Sequence, residues 1–224
     1  DVSDMTYTQF MNFLALSVMF EKVMYKYVAP HRSHNHFCWS FFDCQALISR
    51  VKAVNDAART GNSEQLRDAM QHQFDAGHTK YSGINVSSVP RYGSLEFRMH
   101  EGTMETNRII RWINILLSIK EYAMDEGRTP ENILRTKQDV GIDSIFTAVL
   151  GQYRGILTYD GVEDDILQGI RSAQDFVYQV TASESIDYNS VLPDTGGQPF
   201  TDLLSSMDSD NLTQSAQRRV QDAS

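Results

Sequence analysis

Gly93-Ser94-Leu95-Glu96-Phe97-Arg98-Met99-His100-Glu101-Gly102-Thr103 is the stretch on which the reading of the fold turns. Leu95, Phe97 and Met99 alternate with Glu96, Arg98 and His100. Successive side chains on a strand point to opposite faces, so the alternation predicts a strand with one apolar and one ionisable side. An acid, a guanidinium and an imidazole in one row suit a cation, a phosphate or a carboxylate ligand. The same pattern also describes an amphipathic strand with a salt-bridged outer face. Gly102 breaks the strand and Thr103 is a good N-cap. Met104 to Glu126 then carries Ile109, Ile110, Trp112, Ile113, Leu116, Leu117, Ile119 and Ala123 at helical spacing, which predicts a long helix with a wide apolar stripe, ended by Gly127.

Upstream, Thr79 to Ser88 reads as a second strand. Its link through Pro90 and Tyr92 predicts an antiparallel hairpin over about 79–100. Asn85 then sits near Glu96 and Arg98, where an amide can orient an acid or hold a ligand carbonyl. Thr6-x-x-Gln9 has the form of a capping box, and the helix behind it turns Phe10, Phe13, Leu14, Ser17, Phe20, Met24 and Tyr27 inward before Pro30. Further helices are expected over Phe41–Thr60, with Phe42, Ala46, Leu47, Val51, Val54 and Ala57 inward, and from Asn62 to Phe74. Others are expected from Thr129-Pro130 to about Lys137, over Ile142–Leu150, and over Val162–Val180, the last with Ile166, Ile170, Ala173, Phe176, Val177 and Val180 on one side. From Thr181 to Ser224, Ser, Asp, Gly, Asn and Pro dominate, which reads as a polar tail or partner-binding arm. The fold class is α+β: part of an antiparallel sheet backed by long amphipathic helices.

The 224 residues include 41% hydrophobic types, enough for a sizeable core. The net charge of −9, from 20 basic against 29 acidic residues, argues against a general nucleic-acid binder, which needs a basic surface. Two cysteines, Cys38 and Cys44, make no disulfide framework and suit a reducing, cytoplasmic setting. The apolar run from Thr6 to Val28 is broken by Asn12, Glu21, Lys22 and Lys26, so it reads as a buried helix and not a membrane span. His31, His34, His36 and Cys38 are zinc-ligating types, but their spacing is too tight for the usual pairwise chelation.

Leu95 to Met104, with Trp112 further on, resembles the "EFR-x-H-x-GT" signature of the amidoligase family, within the glutamine-synthetase-like superfamily of carboxylate–amine ligases. Lys80-Tyr81-Ser82-Gly83-Ile84-Asn85 resembles that family's "R-Y-x-x-x-N" strand, and Arg32, Asn35, Phe37 and Cys38 match its "R-x-x-N-x-Y/F-C" element. The resemblance implies an ATP-dependent ligase that joins a peptide or amino-acid carboxylate to an amine donor, with Mg²⁺ as cofactor. It implies Glu96 as magnesium ligand and catalytic residue, Arg98 on the transferring phosphate, and His100 orienting a ligand or moving a proton. Arg32, Asn35, Lys80, Asn85 and Thr103 then bind substrate or nucleotide, while Glu101, in the turn, is expected in solvent.

The family's early strand of acidic ligands and its "H-V-H" strand have no counterpart in this sequence. The resemblance therefore implies that residues 1–150 correspond to the C-terminal half of the ligase domain. Residues 151–180 would be a helical extension and 181–224 an arm, and a separate N-terminal fragment or an assembly partner would complete the site. The alternative expectation is a non-catalytic interaction protein that reuses the fold, such as a processed phage particle component acting in the host cytoplasm or the virion.

Overall fold

The computed structural model describes residues 1–33, 35–74, 80–134 and 141–181. The expected tail beyond 181 lies outside these residues, as do His34 and Thr79. Among the described residues the elements run α1 (Tyr7–Tyr27), α2 (Gln45–Ala58), α3 (Ser63–Phe74), β1 (Ile84–Asn85), α4 (Val89–Tyr92), β2 (Glu96–Phe97), α5 (Thr106–Met124), α6 (Ile142–Leu150) and α7 (Val162–Thr181). A further helical stretch covers 130–134, and the expected remainder to Lys137 is not described. The architecture is α+β, mostly helical with one small antiparallel sheet.

Helix α1 is the centre. Its capping box forms as the spacing predicts: the Thr6 hydroxyl accepts the Gln9 amide at 3.3 Å, and the Gln9 side chain accepts the Thr6 amide at 2.9 Å. Every residue from Phe10 to Glu21 is buried, so the helix has no solvent face along that length. Helix α7 lies along one side of it and α5 along another, while α2 packs on α3 and α7. All six expected inward residues of α7 are buried. In α2, Leu47, Val51 and Val54 are buried as expected, but Ile48, Asn55 and Ala58 complete the buried face in place of Ala46 and Ala57.

Helix α5 departs from expectation. Trp112, Ile115, Ile119 and Ala123 are buried against the core, whereas Ile109, Ile110, Ile113 and Leu117 remain 39–49% exposed. The stripe is wider than the surfaces of α1, Ile142–Leu150 and the 151–157 turn that it meets, so its outer half is covered only in part. Among the described residues, no helix is long and apolar enough to cross a membrane.

The hairpin also forms, but each strand keeps only two residues, with Ile84 opposite Phe97 and Asn85 opposite Glu96. The expected strands were longer at both ends. After Asn85 its side-chain oxygen accepts the Ser87 amide at 2.9 Å, a local bond that peels the chain away from the ladder. Val89–Tyr92 then makes a helical turn, ended by Gly93 at φ 61, where a side chain would be strained. A third segment joins the sheet through Trp39, which bridges Ser82 in parallel.

The crossing of α1 and α7 is tight. A Cβ on Gly169 would collide with the backbone carbonyl of Met19. Nearby, Lys22 Nζ meets Asp165 at 2.6 Å and the Tyr159 hydroxyl donates to the same carboxylate at 2.6 Å. Burial pushes the Asp165 carboxyl up, but these two partners outweigh it and hold it below the ordinary carboxylate range. Gly169→Ala should therefore force the helices apart and destabilise the protein by about 1–3 kcal/mol. Thermal unfolding checks this, and a variant as stable as the parent would show that the crossing has slack.

Candidate functional site

The ionisable side of β2 assembles around Asn85. Its amide is held at both ends: the oxygen accepts from the Ser87 hydroxyl at 2.6 Å and from the Ser87 amide, and the nitrogen donates to Glu96 Oε2 at 2.7 Å. The other Glu96 oxygen lies 3.7 Å from Arg98 Nε. Glu96 is thus aimed by two neighbours while half of its side chain stays exposed. Arg98 donates through its guanidinium to the Lys80 carbonyl, and its guanidinium carbon stands 5.9 Å from the centre of the Tyr81 ring. Lys80 Nζ lies 5.2 Å from the same ring. Four of the expected site residues, Lys80, Asn85, Glu96 and Arg98, therefore form one connected group.

The other expected residues sit differently. Arg32, in a 3₁₀ turn over Pro30–Arg32, donates through Nε to the Met99 carbonyl at 3.1 Å and through one Nη to the Arg98 carbonyl. It straps the exit of β2. Asn35 makes a local turn, its side chain accepting the Phe37 amide at 2.8 Å. Thr103 accepts the Glu105 amide at 3.2 Å, and Glu105, not Thr103, is the N-cap of α5.

His100 turns into an aromatic corner, with ring centres 5.2 Å from Trp112 and 6.3 Å from Tyr27. Its Nδ1 is 2.6 Å from the Glu101 carbonyl. A carbonyl only accepts, so Nδ1 carries a hydrogen. Nε2 is buried and meets no hydrogen-bond partner among the described residues.

Two acids that matter were misread or passed over. Glu101 is not in solvent. Its side chain is 15% exposed, pairs with Arg108 at 2.6 Å, and accepts the Ala29 amide at 2.9 Å. Burial pushes its carboxyl up, but these partners and its own amide hold it below the usual range. Glu21 is buried in α1 and accepts the Phe41 amide at 2.7 Å and the Ser40 hydroxyl at 2.8 Å, fixing the segment that leads from Trp39. A lone acid inside an apolar helical run was the available sign of it.

Among the described residues, no group of three or more His, Cys, Asp or Glu comes together as a metal cage, and His34 of the His31–Cys38 cluster lies outside them. Cys38 is buried beneath Tyr25, whose hydroxyl donates to the Cys38 carbonyl at 2.7 Å and lies 3.2 Å from its sulfur.

Fold and site define an α+β protein in which a short hairpin presents an aligned Asn–Glu–Arg set. A family model described as "Putative amidoligase enzyme" matches residues 1–120, just over half of the chain, and spans this whole site. The chain belongs to that amidoligase family. Neither curated proteins nor solved structures gave a match.

Burial pushes the Glu21 carboxyl from 4.5 up to about 7, against the opposing effect of its hydrogen bonds. Between those values the folded protein holds a proton that the unfolded chain has released, so folding stability falls as pH rises through that window. Glu21→Gln keeps an acceptor for the Phe41 amide and cannot ionise. Denaturant melts at several pH values should show a flatter profile between about pH 4.5 and 7 in this variant. An unchanged slope would assign the effect to another group.

Proposed function

We propose that this chain provides the C-terminal half of a glutamine-synthetase-like ligase domain that joins a carboxylate to an amine at the expense of ATP. The observation that carries the reading is the connected set of Asn85, Glu96 and Arg98, with an exposed carboxylate oriented from both sides, inside the residues that the family model matches. When bound, MgATP supplies the phosphoryl group that activates a carboxylate, which is otherwise a poor electrophile toward amines.

The residues present fit part of that task. Magnesium is commonly held by one or two carboxylates together with phosphate oxygens and water, and Glu96 offers one hard, oriented carboxylate. Arg98 offers a fixed cation beside it. Two of its nitrogens are engaged by Lys80 and Glu96, which holds the fork in place for an anionic oxygen. Asn85 sets the angle of the carboxylate and does not need to touch substrate. His100 keeps a buried ring nitrogen, Nε2, without a partner among the described residues, open to a hydrogen bond with a group brought to the aromatic corner. The remaining ligands for metal and nucleotide come from groups beyond this set, such as a separate N-terminal piece. A peptide or amino-acid carboxylate and an amine donor are the substrate classes.

The native protein should release ADP and phosphate in the presence of magnesium, a carboxylate and an amine. Arg98→Ala and Glu96→Gln should each lower that rate by roughly 10²–10³-fold, the scale for removing one transition-state charge partner. Circular dichroism establishes that each variant remains folded. Absence of magnesium-dependent nucleotide binding by calorimetry in the native protein, taken together with the N-terminal piece that completes the site, would overturn the ligase reading.

A further inference from the structure

Helix α5 carries an apolar line that its neighbours leave open. Ile110, Ile113 and Leu117 are 49%, 48% and 46% exposed and follow one another at steps of three and four residues, with Ile109 at their edge. Scattered apolar residues on a surface need no explanation, but aliphatic side chains in a row along one helix mark a docking face. Arg111 stands exposed beside Ile110, and Glu121 closes the face beyond Leu117.

The sequence beyond Thr181 contains a segment of matching character. Phe200, Leu203, Leu204 and Met207 fall at the helical interval, while Thr201, Asp202, Ser205 and Asp208 fall between them. Pro199 suits the first position of a helix and Asp202 its first turn. The segment can also reach. Asn55 donates to the Val180 carbonyl at the end of α7 and accepts the Tyr7 hydroxyl, while Gln9, one turn of α1 away from neither, bonds the Met124 carbonyl at the end of α5. The chain therefore leaves α7 beside the first turn of α1, where α5 also ends. The link 182–198 spans up to about 55 Å when extended, against about 28 Å for the length of α5.

We propose that residues 199–207 dock as an amphipathic helix on the open face of α5, setting Phe200, Leu203, Leu204 and Met207 against Ile110, Ile113 and Leu117. Tethering gives this segment an effective concentration in the millimolar range, well above that of a second copy at ordinary protein concentrations. The net charge of −9 also works against a second copy. From 182 to 217 the sequence has six acids, Glu184, Asp187, Asp194, Asp202, Asp208 and Asp210, and no Lys or Arg, so what charge attraction there is runs toward Arg111.

Hydrogen exchange of the full chain, read by mass spectrometry at low micromolar concentration, tests the docking. Amides of 200–207 should exchange on the order of 10-fold more slowly than in the isolated peptide of that sequence. Ile113→Asp on the face and Leu204→Asp on the segment should each restore the peptide's rate. Each should also raise the fluorescence of a dye that binds apolar surface. Circular dichroism checks that Ile113→Asp remains folded; Leu117→Lys replaces it if it does not, and Leu204→Asp lies outside the core in any case. Exchange at the peptide's rate in the parent chain would overturn the proposal, as would slow exchange that survives the face variants. A parent chain that sediments as a dimer, made monomeric by Ile113→Asp, would overturn it by assigning the face to a second copy.

Discussion

A helix with no solvent face must find a partner for every polar side chain it carries, because an unpaired buried donor or acceptor costs about 1–3 kcal/mol. That constraint organises this protein. Five polar residues of α1 fasten other elements, while the buried Ser17 hydroxyl and Asn12 Oδ1 meet no partner among the described residues. Gln9 donates to the Met124 carbonyl at 2.8 Å, and Asn12 to the carbonyls of Ala123 and Arg128 at 3.1 and 2.9 Å, so α1 caps the C-terminus of α5. Glu21 holds the segment at Ser40 and Phe41, Lys22 holds α7 through Asp165, and Tyr25 holds Cys38. What looks like an apolar helix interrupted by charges is a central post whose interruptions are its fastenings.

The site depends on those fastenings more than on its own sheet. Two residues per strand supply too few ladder bonds for independent stability. Side chains replace them: Arg32 takes the carbonyls at the end of β2, Arg98 reaches back to Lys80, and Asn85 spans from its own turn to Glu96. Each of these bonds also removes freedom from a residue that the chemistry would need to be still. Position and stability are therefore supplied by the same contacts. Glu101 extends this outward, joining the end of α1 at Ala29 to the first turn of α5 at Arg108.

Much of this was legible in the sequence where a local rule decides the outcome. The Thr6–Gln9 box, the extent of α6, the buried stripe of α7 and the proximity of Asn85 to Glu96 followed from capping chemistry, helical period and strand pairing. Strand length was not legible, because the alternation from Leu95 to His100 continues past the point where Asn85 and Arg32 remove the ladder bonds. One of these bonds is local, from Ser87 to Asn85, and the other comes from Arg32 far back in the chain. The outer half of α5 could not be placed either, since a stripe records which residues are apolar and not how many neighbours arrive to cover them. Arg32 was expected on a ligand from its motif, and Glu101 in solvent from its turn. Their main-chain partners, the carbonyls of Arg98 and Met99 and the amide of Ala29, carry no sequence signal.

The hydroxyl of Tyr25 stands where a side chain at position 83 would have to go. A hairpin only two residues deep is prone to mispairing, and a shift of one residue would turn its ionisable side inward. In such a shift Ser82 or Ile84 would arrive beneath that hydroxyl, and both bring a Cβ into space that is already filled. The tyrosine leaves room for glycine alone at position 83, and the strand placement that satisfies it is the one in which the acid and the guanidinium stand side by side.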